Sequence, residues 1–240
     1  MPFAPDLAHP PCTLTACIFD VDGVLLASPH EQAWREALSG IADPARFTTE
    51  FYQANVAGKP REDGARAALQ ALGVADPDRL VAAYAARKQQ RLEAIIAAGA
   101  VAAYPDALRF VQALAARHWA LAVASSSKNA TGMMRSIRLA DGSALLDAFA
   151  ANVCGRDLPH GKPAPDIFLL AAAELHIPPA RCLVVEDAPA GIQAARAGGM
   201  AGLGVARYHD ASLLRAAGAG QVVATLDDVN VDALTEACPA

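Results

Sequence analysis

Two carboxylates stand two residues apart at the end of an apolar run, ACIFDVDGVLL (residues 16–26). They are Asp20 and Asp22. Side chains two apart on an extended strand point to the same side, so both acids would share one space. Because close like charges repel, one acid would bind a proton unless a cation offsets the charge. The pair therefore predicts a site that needs a cation.

Three other segments bring groups that fit around such a pair. In chain order they are Ser125 in VASSSKN, Lys162 in GKPAPDIF, and Glu186 and Asp187 in VVED. Several carboxylates form an all-oxygen ligand set, which favours Mg²⁺ completed by water and a substrate phosphate. A lysine and a hydroxyl beside the metal suit the negatively charged oxygens of a transferring phosphoryl group.

The pair itself then divides the chemistry. One carboxylate attacks phosphorus and forms a covalent acyl phosphate. The second, when protonated, donates its proton to the leaving oxygen and later takes a proton back. The residues alone leave open which acid has which duty.

The elements that must position these groups are strand-like runs alternating with helical stretches. The predicted strands are 16–21, 120–125, 150–154, 182–187, 201–206 and, more weakly, 221–225. Most are apolar throughout, which is typical of strands covered on both faces. The predicted helices between them start near Pro105, Lys128, Pro165 and Ala188. This alternation predicts an α/β fold with a doubly wound parallel sheet, whose functional groups gather at the carboxyl ends of the strands.

The segment 30–103 shows only helical patterning and no strand. A crossover of that length is too long for one loop. We therefore predict a catalytic core formed by 1–29 and 104–240, with an inserted α-helical cap domain at 30–103 standing over the strand ends.

Composition narrows the class of protein. The chain has 240 residues, of which 54% are hydrophobic, so it can bury a sizeable core. A net charge of −5 gives no electrostatic case for nucleic acid or a membrane surface, and no apolar run is long enough to span a bilayer. The start, 1–12, lacks the pattern of a secretory signal. We expect a cytoplasmic monomer or weak dimer.

The five cysteines do not predict a zinc site or a disulfide framework, because their number is odd and their spacing fits no metal pattern. They are Cys12, Cys17, Cys154, Cys182 and Cys238. Cys17 and Cys182 lie inside apolar strand-like runs, so we expect both to be small core residues.

FDVDGVL, Ser125 in VASSSKN, Lys162 in GKPAPDIF and VVEDAPAGIQAARAGG resemble, in order, the four motifs of the haloacid dehalogenase superfamily. The resemblance implies a Rossmann-like core closed by a mobile cap. It implies Asp20 as nucleophile, Asp22 as acid and base, and Ser125 and Lys162 as phosphate binders. It also implies Mg²⁺ held by Asp20, the Asp22 carbonyl and Asp187, with Glu186 nearby, and a cis Lys162–Pro163 bond.

Within the superfamily, the sequences of these motifs are similar to those of the β-phosphoglucomutase-like subgroup, which acts on a small sugar phosphate. AGKPREDG, ARKQQ and HEQAW resemble cap and hinge segments of that subgroup. The resemblance implies a basic clamp for the phosphate that is not reacting. Its substrate-binding residues would be His30, Arg61, Lys88, Ser126, Lys128 and Asn129.

Other interpretations compete with a mutase. Between DGVL and HEQAW the chain is two residues shorter than that subgroup, which favours a sugar-phosphate phosphatase with water as acceptor. Dehalogenating members lack an acid equivalent to Asp22, so they fit less well. A phosphorylatable receiver domain would need about half this chain and no helical insert, and a non-catalytic binding module would have lost one of the four motifs.

Overall fold

The computed structural model describes residues 13–99, 101–208 and 210–234. Six parallel strands form one sheet in the order β5-β4-β1-β6-β7-β8. Their bounds are β1 Ala16–Phe19, β4 Ala120–Val123, β5 Ala151–Asn152, β6 Cys182–Glu186, β7 Ala201–Val205 and β8 Gln221–Val223. All six predicted strands are present, and the doubly wound parallel sheet is confirmed.

Strand β1 shows why the strands are apolar throughout. Cys17 and Phe19 face one side of the sheet and pack in an apolar cluster with Phe110. Ala16 and Ile18 face the other side and pack in a second cluster. Both faces are therefore covered, which removes the polar alternation of a half-exposed strand. Cys182 is also buried, so both central cysteines are core residues as expected.

Helices cover both faces of the sheet. They are α5 Pro105–Ala115, α6 Ala130–Ser136, α7 Asp166–Glu174, α8 Pro189–Ala197, α9 Ala211–Ala216 and α10 Val231–Leu234. Helix α5 begins at its proline, whose missing N–H costs nothing in a first turn. Helix α8 ends before Gly199, which has a φ of +70° and terminates the helix.

Four helices lie between β1 and α5: α1 His30–Ala37, α2 Thr49–Asn55, α3 Arg61–Ala71 and α4 Pro77–Ala97. They enclose an apolar cluster of their own around Trp34, Phe47 and Tyr84. The Tyr84 hydroxyl donates to the Trp34 carbonyl at 3.0 Å and so joins α4 to α1. We call these helices the cap; its status as a separate domain with bounds 30–103 stays a prediction.

The prediction of no strand within 30–103 is wrong at one place. Strand β3, Ala102–Ala103, pairs antiparallel with β2, Leu26–Ala27, at the two crossings between cap and core. Two residues are too few to show a period-2 pattern, which is why the sequence does not reveal the pair. The predictions for 1–12, Cys12 and Cys238 lie outside the described residues.

Candidate active site

The loop after β1 places Asp20 and Asp22 at the carboxyl edge of the sheet. Asp20 is buried, and its N–H donates to the Val185 carbonyl of β6 at 3.0 Å. Gly23 has a φ of +87°, which a glycine adopts without strain. A Cβ on Gly23 would lie 1.9 Å from Asp187 Oδ2, so glycine also makes room for that carboxylate.

Lys162 joins the first strand to the fourth motif. Its buried Nζ donates to Asp20 Oδ1 and to Glu186 Oε1, both at 2.6 Å. Burial would lower the Lys162 pKa, but the two carboxylates raise it above its ordinary value, so the ammonium persists. The Lys162–Pro163 bond is cis, as the resemblance implies.

Glu186 is a fixed acceptor beneath the site. Besides Lys162, the N–H groups of Asp187 and Ala188 donate to its Oε2, each at 3.0 Å. Burial, and less strongly Asp20, raises the pKa of Glu186 to about 7, while Lys162 opposes that rise. Because Lys162 and the two N–H groups are all donors, both oxygens of Glu186 act as acceptors, as in an ionised carboxylate. Gly191 leaves room for this carboxylate, because a Cβ there would lie 1.8 Å from Oε1.

Ser125, which follows β4, contacts the second aspartate. Its buried Oγ donates to Asp22 Oδ2 at 3.2 Å and accepts from the Ser127 N–H at 3.1 Å. Burial raises the pKa of Asp22, although the hydroxyls of Ser28 and Ser125 and the charge of Lys88 oppose the rise. Asp22 Oδ1 accepts no hydrogen bond from the described residues.

The acids present a donor set that fits Mg²⁺. Burial raises the pKa of Asp20 and, far more, that of Asp187, whose neighbours Glu186 and Asp20 add to the rise. Buried oxygen ligands that carry uncompensated charge suit a hard dication. In the described parts of the chain, no three His, Cys, Asp or Glu side chains are grouped to hold a metal; the implied set needs two carboxylates and the Asp22 carbonyl.

His30 and Lys88 extend from the cap towards Asp22. Lys88 Nζ lies 3.0 Å from His30 Nδ1, and His30 Nε2 lies 3.5 Å from Asp22 Oδ1. Burial, then Lys88 and Arg61, hold the His30 pKa well below its ordinary value, so the imidazole is neutral. When Lys88 is protonated, its ammonium only donates, so that Nδ1 accepts from Lys88 and the Nε2 proton faces Asp22.

The predicted distal residues do not all meet. One cleft is lined by Asp20, Asp22, His30, Trp34, Tyr52, Val56, Ala57, Gly58, Lys59, Arg61, Lys88, Gln89, Ser125, Ser126, Ser127, Asn129 and Asp187. It therefore contains Arg61, Ser126 and Asn129. Lys128 does not line this cleft. It lies in a neighbouring groove, which Arg61 and Ser126 also line, and pairs with exposed Asp157 at 2.8 Å.

Four polar residues line the cleft without having been predicted as site residues: Tyr52, Lys59, Gln89 and Ser127. Gln89 Nε2 donates to Asn129 Oδ1 at 3.2 Å and so bridges cap and core. Burial, then Asp187 and Asp22, raise the pKa of Tyr52, so its phenol stays protonated. The sequence could have indicated Lys59, because this lysine stands two residues before Arg61 in AGKPREDG. No motif in the sequence distinguishes Tyr52 or Gln89 from other helical residues of the cap.

Arg207, between β7 and α9, supports the loop from behind. Its guanidinium donates to the carbonyls of Gly23 and Val24 at 2.8 and 3.0 Å, and to Asp106 at 3.1 and 3.3 Å. The Thr225 hydroxyl also donates to Asp106, at 2.9 Å. This part-buried guanidinium fixes the backbone just after Asp22.

Comparison with known proteins agrees with this geometry. The family described as haloacid dehalogenase-like hydrolase matches residues 14–199. The chain belongs to the haloacid dehalogenase superfamily. It is an enzyme with that superfamily's α/β core.

Some of the similar proteins are named as mutases and others as phosphatases. A β-phosphoglucomutase of Mycobacterium bovis is 33% identical, over 91% of this chain and 92% of that one. A fructose-1-phosphate phosphatase of Escherichia coli, YqaB, is also 33% identical, over 76% and 92%. The crystal structure of an archaeal β-phosphoglucomutase from a hyperthermophilic Pyrococcus has a TM-score of 0.73 and 31% identity, covering 91% of this chain and 96% of that one.

The superfamily core of this chain carries all four predicted motifs.

Of the helices in the described residues, none has the length and apolarity to cross a membrane.

Proposed function

We propose that the chain catalyses Mg²⁺-dependent phosphoryl transfer on a small sugar phosphate through an aspartyl phosphate, as a β-phosphoglucomutase-like mutase. The observation that carries the proposal is one cleft that is lined by both acids and cations. Asp20, Asp22 and Asp187 line it, Lys162 lies beside Asp20, and the cap contributes the cations Arg61 and Lys88. A mutase needs cations from the cap besides the acids, because it must also hold the phosphate that is not reacting.

Asp20 is the proposed nucleophile. Lys162 donates to Oδ1 and so stabilises the ionised carboxylate, which leaves Oδ2 to attack phosphorus. The new bond joins Oδ2 to phosphorus while the bond from phosphorus to the sugar oxygen breaks. Bound at Asp20, the Asp22 carbonyl and Asp187, Mg²⁺ would neutralise charge on the phosphoryl oxygens. The Ser125 hydroxyl and Lys162 are the proposed protein ligands of that group.

Asp22 is the proposed proton carrier. Burial raises the pKa of Asp22, which helps this acid to hold a proton. The protonated acid donates to the departing sugar oxygen. The resulting carboxylate faces the His30 Nε2–H, and Lys88 holds that tautomer by donating to Nδ1. In the reverse half-reaction Asp22 takes the proton of the incoming hydroxyl, and the bond between Asp20 and phosphorus breaks.

A sugar-phosphate phosphatase is the second candidate. The shortened segment after Leu25 and the phosphatase relative favour it. It would use the same covalent step with water as acceptor. The monomer or weak dimer and the cytoplasmic location stay predictions.

One assay separates the two candidates. The enzyme receives β-glucose 1-phosphate, Mg²⁺ and a catalytic amount of β-glucose 1,6-bisphosphate, and inorganic phosphate and glucose 6-phosphate are measured together. A mutase forms glucose 6-phosphate with little free phosphate. Release of phosphate without the isomer would reject the mutase and favour the phosphatase.

A further inference from the structure

Lys59 stands at a fixed place in the cleft. It lies in the loop from Val56 to Pro60, which joins α2 to α3. The preceding Gly58 has a φ of +75°, and a Cβ there would lie 3.1 Å from Ala188 Cβ. Ser126 Oγ donates to the Gly58 carbonyl at 3.4 Å. The loop is therefore pressed onto the core between the second and fourth motifs.

The charge of Lys59 is not neutralised by an ion pair among the described residues. Its Nζ donates to the Asn55 carbonyl at 2.5 Å, a neutral acceptor. Burial lowers the Lys59 pKa, and Asp63 partly opposes that change. By contrast, the Lys128 ammonium already pairs with Asp157 outside the cleft. Lys59 is thus a cation with capacity for an anionic partner.

The placement of lysine in this chain is uneven. The sequence has four lysines, and three of them line or underlie the site: Lys59, Lys88 and Lys162. Exposed ion pairs of the described residues use arginine in nearly every case. Lysine supplies a compact, mobile point charge, whereas arginine supplies a planar fork.

We propose that Lys59, together with Arg61, binds the phosphate that is not reacting, and that Lys59 rather than Lys128 is the lysine of that distal site. The inference rests on the proposed function, because only a bisphosphate needs the distal site. The two cations are two residues apart, both line the cleft, and both belong to the cap. A bisphosphate with one phosphate between these cations and the other at Asp20 would therefore also hold the cap against the core.

The test measures affinity without turnover. The Asp20→Asn protein, which cannot form the aspartyl phosphate, is titrated calorimetrically with β-glucose 1,6-bisphosphate in the presence of Mg²⁺. Adding Lys59→Met should raise Kd about tenfold or more, since a hydrogen bond to a charged group is lost. Adding Lys59→Arg should keep Kd within about threefold, because the charge remains.

A matched control removes a cap cation outside the cleft. Arg66 on α3 pairs with exposed Asp78 and does not line the cleft, so Arg66→Met should leave Kd unchanged. Thermal unfolding of each variant verifies that it is folded.

Three outcomes would overturn the inference. An unchanged Kd in the folded Lys59→Met protein would show that Lys59 does not contact the ligand. A larger loss of affinity from Lys128→Met than from Lys59→Met would show that Lys128, and not Lys59, is the lysine that binds the distal phosphate. If the Asp20→Asn protein with Lys59 intact fails to bind the bisphosphate, the proposed function is wrong as well, which distinguishes that failure from the other two.

Discussion

At the scale of single residues, Asp20 and Asp22 are two positions apart but have different neighbours. Asp20 receives a hydrogen bond from the Lys162 ammonium at 2.6 Å, so its charged form is stabilised. Asp22 receives one from the neutral Ser125 hydroxyl at 3.2 Å and lies near a neutral imidazole. Burial raises the pKa of both acids, but only Asp20 receives a hydrogen bond from an ammonium, so we propose Asp20 as the ionised nucleophile and Asp22 as the proton carrier.

We expect Asp20→Asn to abolish turnover while leaving the fold intact, because an amide cannot attack phosphorus. Asp22→Asn should lower kcat by about 10²–10⁴-fold, the usual worth of general acid–base help. Steady-state kinetics with a sugar phosphate, alongside circular dichroism, measures both. Normal activity in a folded Asp20→Asn protein would exclude the covalent route, and a kcat near wild type would exclude Asp22 as the proton carrier.

We expect the buried Lys88 side chain to lower the free energy of unfolding, although it contributes to the proposed catalysis. Burial lowers its pKa from an ordinary value of 10.5 to about 7. Between these pH values the unfolded chain binds a proton that the folded chain does not, so Lys88 lowers stability as pH falls from 10.5 towards 7. Below pH 7 both the folded and the unfolded chain bind the Lys88 proton, so the loss of unfolding free energy stays constant. Lys88→Met should therefore stabilise the fold most at neutral pH while lowering activity.

The measurement is the free energy of unfolding in urea at several pH values from about 6.5 to about 10. The difference between Lys88→Met and wild type should shrink as pH rises. A variant less stable than wild type at neutral pH would contradict the buried, partly neutral amine.

At the scale of elements, Arg207 ties three distant parts of the chain together. It reaches the loop after β1, and its partner Asp106 opens α5 and also accepts from the Leu226 N–H at 2.8 Å. The guanidinium lies 3.7 Å from the centre of the Tyr104 ring, next to β3. Burial would raise the Asp106 pKa, but these donors hold it below its ordinary value.

Arg207→Met should destabilise the protein by about 3–5 kcal/mol, because it leaves a buried carboxylate without its cation. Chemical denaturation measures the change. Arg109→Met is the matched control: Arg109 makes a two-bond pair with Asp227, but both side chains are about half exposed, so the loss should be about 0–1 kcal/mol. Equal losses would show that burial gives the Arg207 pair no greater effect on stability.

The same elements show what the sequence can predict. Each central strand could be predicted because burial on both faces makes it apolar throughout, as at Ala16–Phe19. The grouping of residues from the four motifs follows from the rule that the carboxyl ends of parallel strands meet at one edge of the sheet. The β2–β3 pair could not be predicted, because two residues carry no periodic signal.

Side-chain direction is also beyond the sequence. SSSKN identifies a polar loop, but only the fold shows that Asn129 enters the cleft and that Lys128 turns to Asp157. Arg207 stands 184 positions from Gly23, so no local pattern connects them. Tyr52 and Gln89 sit on helices whose cleft-facing side is set by packing within the cap.

At the scale of the whole molecule, the cap and the sheet have separate apolar cores. The cluster around Trp34 and Tyr84 is drawn entirely from the cap, whereas Trp119 belongs to the cluster beneath the sheet. A polar contact crosses the cleft between Gln89 and Asn129, whereas Ile96 near the end of α4 packs against the cluster beneath the sheet. Polar contacts across a cleft permit relative motion of two units, which a closing cap requires.

The two tryptophans of the chain make this division testable, since one lies in each core. In Trp119→Phe protein, fluorescence reports the cap through Trp34; in Trp34→Phe protein it reports the sheet through Trp119. Because the cap has the smaller apolar cluster, we expect its signal to change at a lower urea concentration, so that unfolding is not two-state. Circular dichroism of each variant identifies any shift caused by the substitution itself. Coincident transitions from both probes would mean that cap and core unfold as one cooperative unit, and the predicted division at residues 30–103 would then be wrong.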